Sequence, residues 1–109
     1  MKNIQLTCAH AIVKFLIKQK ILINGKKEPL FPGVFGIFGH GNVACLGQAL
    51  EENQKDLPTW RGHHEQNMAL TGIAYSRAKR RKQIFIATSS VGPGSTNMLT
   101  AAAVAMSNR

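Results

Sequence analysis

The apolar positions of the chain follow two periods that alternate beyond Pro32. Short continuous apolar runs predict strands at residues 34–38 and 84–88, and residues 59–61 are long enough for a brief strand between them. After each run, apolar residues recur at the spacing of a helix, at about 42–50, 65–80 and 98–106. Strands that alternate with helices in this way predict a parallel sheet with right-handed crossovers. The predicted fold class is therefore α/β, an open parallel sheet flanked by helices.

Local signals predict where several of these elements begin. Thr7 is expected to cap a first helix, and a turn is expected at residues 24–27 because they contain an Asn-Gly pair. Asn42 is predicted to cap the helix that follows the first strand. After the last strand, either Ser95 or Thr96 is predicted to cap the final helix.

The last predicted helix, at residues 98–106, is alanine-rich and apolar on nearly all sides, which is typical of a buried helix. Trp60 is likewise expected in the core. A buried helix normally leads into another central strand, and the three predicted strands cannot cover this many apolar helix faces. We therefore expect residues 1–109 to be the N-terminal part of a larger domain, with a sheet that stops before its last strands.

Composition limits the class of protein. The chain has 109 residues, 44% of them hydrophobic, so it can build a core and forms one domain at most. No apolar run approaches the roughly 20 residues of a membrane span, and the N-terminus has no secretory signal pattern. Cys8 and Cys45 lack the spacing of a metal site, which favours two reduced thiols in a cytoplasmic protein.

The formal net charge of +9 raises the question of nucleic-acid binding. The densest basic group, at residues 77–82, closes a predicted helix, where cations suit the negative end of the helix dipole. A solvated helix end explains this group better than a phosphate-binding patch. The chain also has only one Tyr and one Trp and lacks an RNA-binding aromatic motif. The sequence therefore argues against nucleic acid as a partner, and a basic nucleic-acid-binding module stays an alternative.

Two chemically distinctive segments follow neighbouring strands. Glu65 begins the helix after residues 59–61, and Gly92-Pro93-Gly94 follows the strand at 84–88. Ligands of open α/β sheets bind at the carboxyl ends of the strands, so both segments are expected at one ligand-binding edge. Glu65 is also the last acidic residue of the chain. A glutamate in the first turn of a helix is favoured by the helix dipole alone, and a Gly-Pro-Gly turn is common, so neither segment by itself identifies a reaction.

Taken together, the segments resemble a known family. The run His64-Glu65-Gln66 with its helix, the strand at 84–88, and the segment from Gly92 to Asn97 are similar to the pyrimidine-binding domain of thiamine diphosphate enzymes. The resemblance covers nearly the whole chain. It implies that Glu65 is catalytic, because a carboxylate at N1′ of the aminopyrimidine favours the imino form of the cofactor that removes the C2 proton.

The resemblance also implies the other site residues. Gly92, Pro93, Gly94 and Asn97 would bind the cofactor together with Glu65, with glycine allowing close approach of the backbone. A second set would line the substrate pocket: His40, Asn42 and Ser90. No metal ligand is assigned within residues 1–109, because family members bind the diphosphate through Mg²⁺ in a separate domain, which has a Gly-Asp-Gly motif that this sequence lacks.

Within the family, three segments are similar to hydrolases that cleave a C–C bond in a cyclic 1,2-diketone of myo-inositol catabolism. They are residues 35–42, 47–51 and 89–91. The resemblance implies a small-molecule substrate and a second subunit that completes the active site, in a homodimer or homotetramer. Because these residues supply part of one wall of that site, we expect the chain alone to be inactive. Asn67 departs from the family pattern, since relatives usually have glycine there.

Three alternatives remain beside this interpretation. The first is another thiamine diphosphate enzyme, either an acetolactate synthase-like enzyme or a 2-oxo acid decarboxylase. The second is an inactive, truncated remnant whose exposed sheet edge promotes association. The third is the nucleic-acid-binding module considered above, which would show strongly salt-dependent retention of DNA or RNA.

Overall fold

The computed structural model describes residues 3–108. Their helices and strands follow in the order α1 (Cys8–Lys18), β1 (Lys20–Ile23), β2 (Lys26–Pro29), β3 (Val34–Gly36), α2 (His40–Asn42), a π-helix (Val43–Gly47), α3 (Gln48–Glu52), β4 (Thr59–Arg61), α4 (Glu65–Ala78), β5 (Ile86–Thr88), α5 (Pro93–Asn97) and α6 (Leu99–Asn108). Among these residues, no helix combines the length and the apolar character needed to cross a membrane.

Three of the strands form a parallel sheet in the order β4-β3-β5. The central strand comes first in sequence, and its Val34 is in register with Thr59 on one side and Ile86 on the other. Since all three strands run in the same direction, their carboxyl ends lie at one edge of the sheet. The α/β class and the parallel sheet with flanking helices are confirmed.

The core lies where α1 and α3 pack close to the sheet. Its fully buried members come from four parts of the chain: Val13, Val34, Ala49, Leu50 and Leu57. Helix α1 begins as predicted, because the Thr7 side chain accepts a hydrogen bond from the backbone N–H of His10 at 3.2 Å. This cap and the apolar face of α1 fix the first helix against the remainder of the core.

An aromatic group lies beside this core. The Phe35 and Phe85 rings stack with centroids 4.8 Å apart, and the Trp60 ring packs on Phe85 at 5.7 Å. Trp60 is nevertheless 47% exposed, so its expected place in the core is wrong. The reason is its position on β4, an edge strand of this sheet, where one side of the indole has no neighbouring strand.

A β-hairpin, which the sequence analysis interpreted only as a turn, precedes the sheet. Strands β1 and β2 pair antiparallel around Asn24 and Gly25, whose φ angles are 51° and 79°. Positive φ at both central residues is the geometry of a type I′ turn, which favours Asn-Gly. The hairpin strands were missed because their lysines weaken the alternation of apolar and polar residues.

Two helices begin earlier than predicted. Gly39 occupies the cap position of α2, while Asn42 has a helical backbone and makes no capping hydrogen bond. Gly92 caps α5 with a φ of 68°, and Pro93 takes the first helical position, where its missing N–H and fixed φ are favourable. The predicted caps at Asn42 and at Ser95 or Thr96 are therefore wrong, because glycine and proline start each helix first.

The last helix is exposed rather than buried. Helix α6 packs against α4, but among its described residues only Ala101 is buried, and Leu99 and Met106 are 65% and 80% exposed. Within residues 3–108, strand β5 also has no partner on its outer edge. Helix α6 does carry an apolar surface, but the part of the chain that the structure describes covers only one side of that surface.

Candidate functional site

Glu65 lies at the carboxyl edge of the sheet. It is the first residue of α4, four positions after β4 ends, and it is only 7% exposed. Among residues 3–108 the buried polar or charged residues are Glu65 and Gln83. Gln83 is satisfied by hydrogen bonds with Tyr75 and with the carbonyl of Pro29. A carboxylate buried at a ligand-binding edge needs a partner for its charge, which makes Glu65 the chemically notable group of this surface.

One side chain partners this carboxylate in the described part of the chain. Ser90 Oγ, from the loop after β5, donates a hydrogen bond to Glu65 Oε1 at 3.3 Å. The other oxygen, Oε2, has no side-chain donor among residues 3–108. No fully buried side-chain oxygen or nitrogen of the described residues is left without a partner, so Oε2 is not completely enclosed by the protein. The site therefore offers one anchored and one available carboxylate oxygen.

Gly94 brings helix α5 directly against this pair. It is buried, and a Cβ built on it would lie 2.5 Å from Glu65 Oε1 and would collide with Ser90 Oγ. Only glycine lets the backbone come this close without displacing one of the two side chains. Gly92 serves the same loop differently, because its φ of 68° disfavours any residue with a Cβ.

The loop after β3 reaches the same place from the opposite side. A Cβ on Gly39 would lie 2.9 Å from Ser90 Cβ, so the two loops are in direct contact. Asn42 Nδ2 donates a hydrogen bond to the carbonyl oxygen of Ser89 at 3.4 Å. The segments that follow all three parallel strands thus converge on Ser89 and Ser90.

The structure brings together some of the predicted site residues and leaves others at the rim. Glu65, Ser90 and Gly94 are in contact, and Asn42 joins them through the backbone of Ser89. The remaining predicted residues are exposed around them: His40, Gly92, Pro93 and Asn97. Asn67 is also exposed, on α4 two residues beyond Glu65.

Sequence reasoning missed the role of Ser95. Its hydroxyl donates a hydrogen bond to the carbonyl oxygen of Ser90 at 2.9 Å and also lies 3.0 Å from Ser89 Oγ. The concentration of serines on both sides of Gly-Pro-Gly was the available signal. Serine hydroxyls readily bond nearby backbone groups in loops, which explains how this loop is held.

A cavity lies elsewhere. A space of about 340 Å³ between α4 and α6 has mainly apolar walls, including Ala69, Ile73 and Phe85, and is also lined by Arg77 and Arg81. None of the predicted site residues lines it. The groups that can do chemistry lie at the carboxyl edge of the sheet, so we place the candidate site there.

Comparison with known proteins gives the family to which the chain belongs. Residues 30–109 match the family model described as thiamine pyrophosphate enzyme, N-terminal TPP binding domain. The chain belongs to this family, whose cofactor, thiamine pyrophosphate, is also called thiamine diphosphate. The resemblance drawn from Glu65 and the Gly-Pro-Gly loop is thereby confirmed at the level of the family.

Particular relatives are also similar. The chain is 53% identical over 108 residues to the 3D-(3,5/4)-trihydroxycyclohexane-1,2-dione hydrolase of Geobacillus thermodenitrificans (strain NG80-2). It is 50% identical to proteins of the same name from Bacillus thuringiensis (strain Al Hakam) and Bacillus cereus (strain 03BB102). Each comparison covers 99% of this chain and 17% of the relative, so the chain spans about one sixth of the length of these curated relatives.

Proposed function

We propose that this chain forms the pyrimidine-binding part of a thiamine diphosphate-dependent hydrolase that cleaves a C–C bond in a cyclic 1,2-diketone of myo-inositol catabolism. The substrate class is taken from the trihydroxycyclohexanedione in the names of relatives that are 50–53% identical. The observation that carries the proposal is the buried carboxylate of Glu65, with one oxygen anchored by Ser90 and the other not completely enclosed.

The residues at this edge fit an aminopyrimidine ring. Its N1′ atom needs a carboxylate with an accessible oxygen, and Glu65 Oε2 meets that requirement. The backbone from Gly92 to Gly94 offers close approach without bulky side chains, and we assign Gly92, Pro93, Gly94 and Asn97 to cofactor binding. When bound, thiamine diphosphate would supply the nucleophilic carbon and the electron sink that cleavage of a C–C bond next to a carbonyl needs.

Glu65 is the residue of this chain that acts on the cofactor. Its carboxylate would share a proton at N1′, and its 7% exposure limits the water that can compete for that hydrogen bond. The start of α4 provides backbone N–H groups whose dipole favours the negative charge. His40 and Asn42, on the short helix α2 after β3, are assigned to the substrate side of the site. The chain thus orients the ring and holds one proton, and the cofactor carries the bond-breaking chemistry.

The remaining requirements of the activity lie outside residues 3–108. No three His, Cys, Asp or Glu side chains gather as a metal site among these residues. We propose that Mg²⁺ binds the diphosphate through another domain, and that a second subunit completes the active site in a homodimer or homotetramer. The free thiols of Cys8 and Cys45 support a cytoplasmic enzyme.

The test is a chimera in which this chain replaces the matching 108-residue segment of the Geobacillus hydrolase. We expect the chimera to cleave the trihydroxycyclohexanedione only when thiamine diphosphate and Mg²⁺ are added. The unmodified Geobacillus protein is the positive control, and a Glu65→Gln chimera is the matched negative control. Glutamine keeps the size of the side chain but removes its charge.

The outcomes separate the alternatives. Cleavage of the dione at a rate no higher than that of the Glu65→Gln chimera contradicts the proposal and favours an inactive remnant. Release of acetolactate or acetaldehyde from pyruvate, with the dione left intact, favours a synthase or a decarboxylase instead.

A further inference from the structure

We propose that Ser90 is a positioning residue for Glu65 rather than a substrate-pocket residue, which was the interpretation from sequence. Its hydroxyl fixes one carboxylate oxygen so that the other faces the cofactor. The inference rests on the proposed function of Glu65, and it assigns to Ser90 a role that acts through that residue.

The donor and the acceptor of this hydrogen bond follow from the chemistry of the two groups. An ionised carboxylate only accepts hydrogen bonds, so the Ser90 hydroxyl donates to Glu65 Oε1 across the 3.3 Å that separates them. This distance is longer than the usual ~2.7–2.8 Å of O–H···O bonds. Hydrogen bonds of catalytic groups are often long without substrate and shorten in the complex. We expect the same tightening here when the cofactor binds.

Rotation of the carboxylate gives this bond its importance. The terminal torsion of a glutamate is broad, so this torsion alone does not fix the plane of the carboxylate. A donor on one oxygen fixes that plane and so holds the other oxygen in one direction. Since Ser90 is the only side-chain donor to Glu65 among residues 3–108, the orientation of the carboxylate depends on this hydroxyl.

Ser90 is itself held from two sides. Ser95 Oγ donates to the Ser90 carbonyl oxygen at 2.9 Å from α5, and Asn42 Nδ2 donates to the Ser89 carbonyl oxygen at 3.4 Å from α2. These bonds fix the backbone that carries Ser90. The hydroxyl is therefore directed at Glu65 by the loop and does not reach it by chance rotation of a free side chain.

Gly94 encloses the contact. A Cβ at this position would overlap Ser90 Oγ and crowd Glu65 Oε1, so the backbone of α5 covers both partners. Enclosure excludes competing water and strengthens a charge-assisted hydrogen bond. The same enclosure leaves Ser90 half-buried, with its hydroxyl engaged with Glu65.

The experiment is a double-mutant cycle in the Geobacillus chimera, with Ser90→Ala, Glu65→Gln and the combined variant. Two quantities are measured: the Kd of thiamine diphosphate, by quenching of protein fluorescence, and kcat and KM for the dione. Ser107→Ala is the matched control, because Ser107 is an exposed serine of α6 that makes none of the hydrogen bonds around Glu65.

With Glu65 present, we expect Ser90→Ala to weaken cofactor binding or lower kcat about tenfold, as for loss of a hydrogen bond to a charged group. In the Glu65→Gln background the same change should have less than about a twofold effect on cofactor binding, since its target is gone. The KM for the dione should stay nearly constant, and Ser107→Ala should change no quantity more than about twofold.

Other results overturn the inference. Equal effects of Ser90→Ala in both backgrounds would show that Ser90 does not act through Glu65. A raised KM for the dione with unchanged kcat and cofactor Kd would return Ser90 to the substrate pocket. A chimera that binds the cofactor but cleaves no dione overturns the proposed substrate alone, because the cycle is still measured by cofactor binding. A chimera that binds no cofactor overturns both proposals.

Discussion

Replacing Gly94 with alanine tests whether α5 closes over the Glu65–Ser90 pair as the structure describes. Gly94 lies inside the helix Pro93–Asn97, and its φ is outside the left-handed region. For an unobstructed helical position, glycine to alanine is expected to stabilise a protein by about 0.5–1 kcal/mol. Any loss of stability must therefore come from the space that the new methyl group occupies.

The structure predicts a loss. The added Cβ would lie 2.5 Å from Glu65 Oε1 and would collide with Ser90 Oγ, so one side chain or the helix must move. Overpacking of this kind costs about 1–3 kcal/mol. Breaking the hydrogen bond to the buried carboxylate adds about 1.5–3 kcal/mol. After subtracting the gain in helix propensity, we expect Gly94→Ala to lower the free energy of unfolding by about 1.5–5.5 kcal/mol.

The assay is urea unfolding of the 109-residue chain followed by circular dichroism, with two matched glycine variants. A Cβ on Gly41 would meet nothing within 4 Å and its φ is not positive, so Gly41→Ala should be neutral or slightly stabilising. A Cβ on Gly92 would also meet nothing, but its φ of 68° with a ψ of −121° lies outside the regions that L-residues favour, which predicts a cost of about 1–3 kcal/mol from strain alone. If Gly94→Ala proves as stable as Gly41→Ala, the enclosure of Glu65 by α5 is refuted.

Three further predictions concern other parts of the molecule. A hydrogen bond from His10, at 2.8 Å, and then one from Gln48 hold the pKa of Glu52 below its ordinary value of 4.5. This stabilisation is present above pH 4.5 and is lost as the pH falls through the folded-state pKa. Glu52→Gln should therefore flatten the acid side of a plot of Tm against pH. An unchanged acid side would contradict the stabilising role of Glu52. Gly25→Ala should lower the free energy of unfolding in urea by about 1–2 kcal/mol. A Cβ at this position would meet no atom, so the cost comes from the positive φ of 79° alone, and a neutral result would argue against the type I′ turn. Met106→Lys, on the exposed side of α6, should weaken self-association of the chain, measured by sedimentation velocity. An association constant equal to that of the unchanged chain would show that this face does not mediate association.

Sequence reasoning was most successful where topology constrains position. Parallel strands end at one edge, so Glu65 after one strand and Gly94 after another could be expected together, and the structure places them in contact. The hydrogen bond from Ser90 to Glu65 could not be foreseen, because it depends on the conformation of a loop. Serine occurs in loops for many reasons, and its spacing from Glu65 along the chain carries no geometric information.

The errors also have physical causes. Asn42 has a good capping side chain, but Gly39 begins the helix three residues earlier and leaves Asn42 free to bond the Ser89 carbonyl. The apolar surface of α6 correctly indicates a face that favours burial, but an apolar pattern does not say what covers it. Residues 3–108 supply α4 and the neighbouring short helix α5. Local propensity thus predicted whether a segment is a helix or a strand better than it predicted where the element begins or which elements pack against it.

The central claim is that Glu65 acts at N1′ of the thiamine diphosphate pyrimidine. The most direct measurement is exchange of the cofactor C2 proton for deuterium, followed by quenched-flow ¹H NMR in the chimera and in its Glu65→Gln variant. We predict that the variant still binds the cofactor but exchanges this proton about 10²–10⁴ times more slowly, the usual loss when an acid–base group is removed. Equal exchange rates in the two proteins, with cofactor bound in both, would contradict the assignment of Glu65.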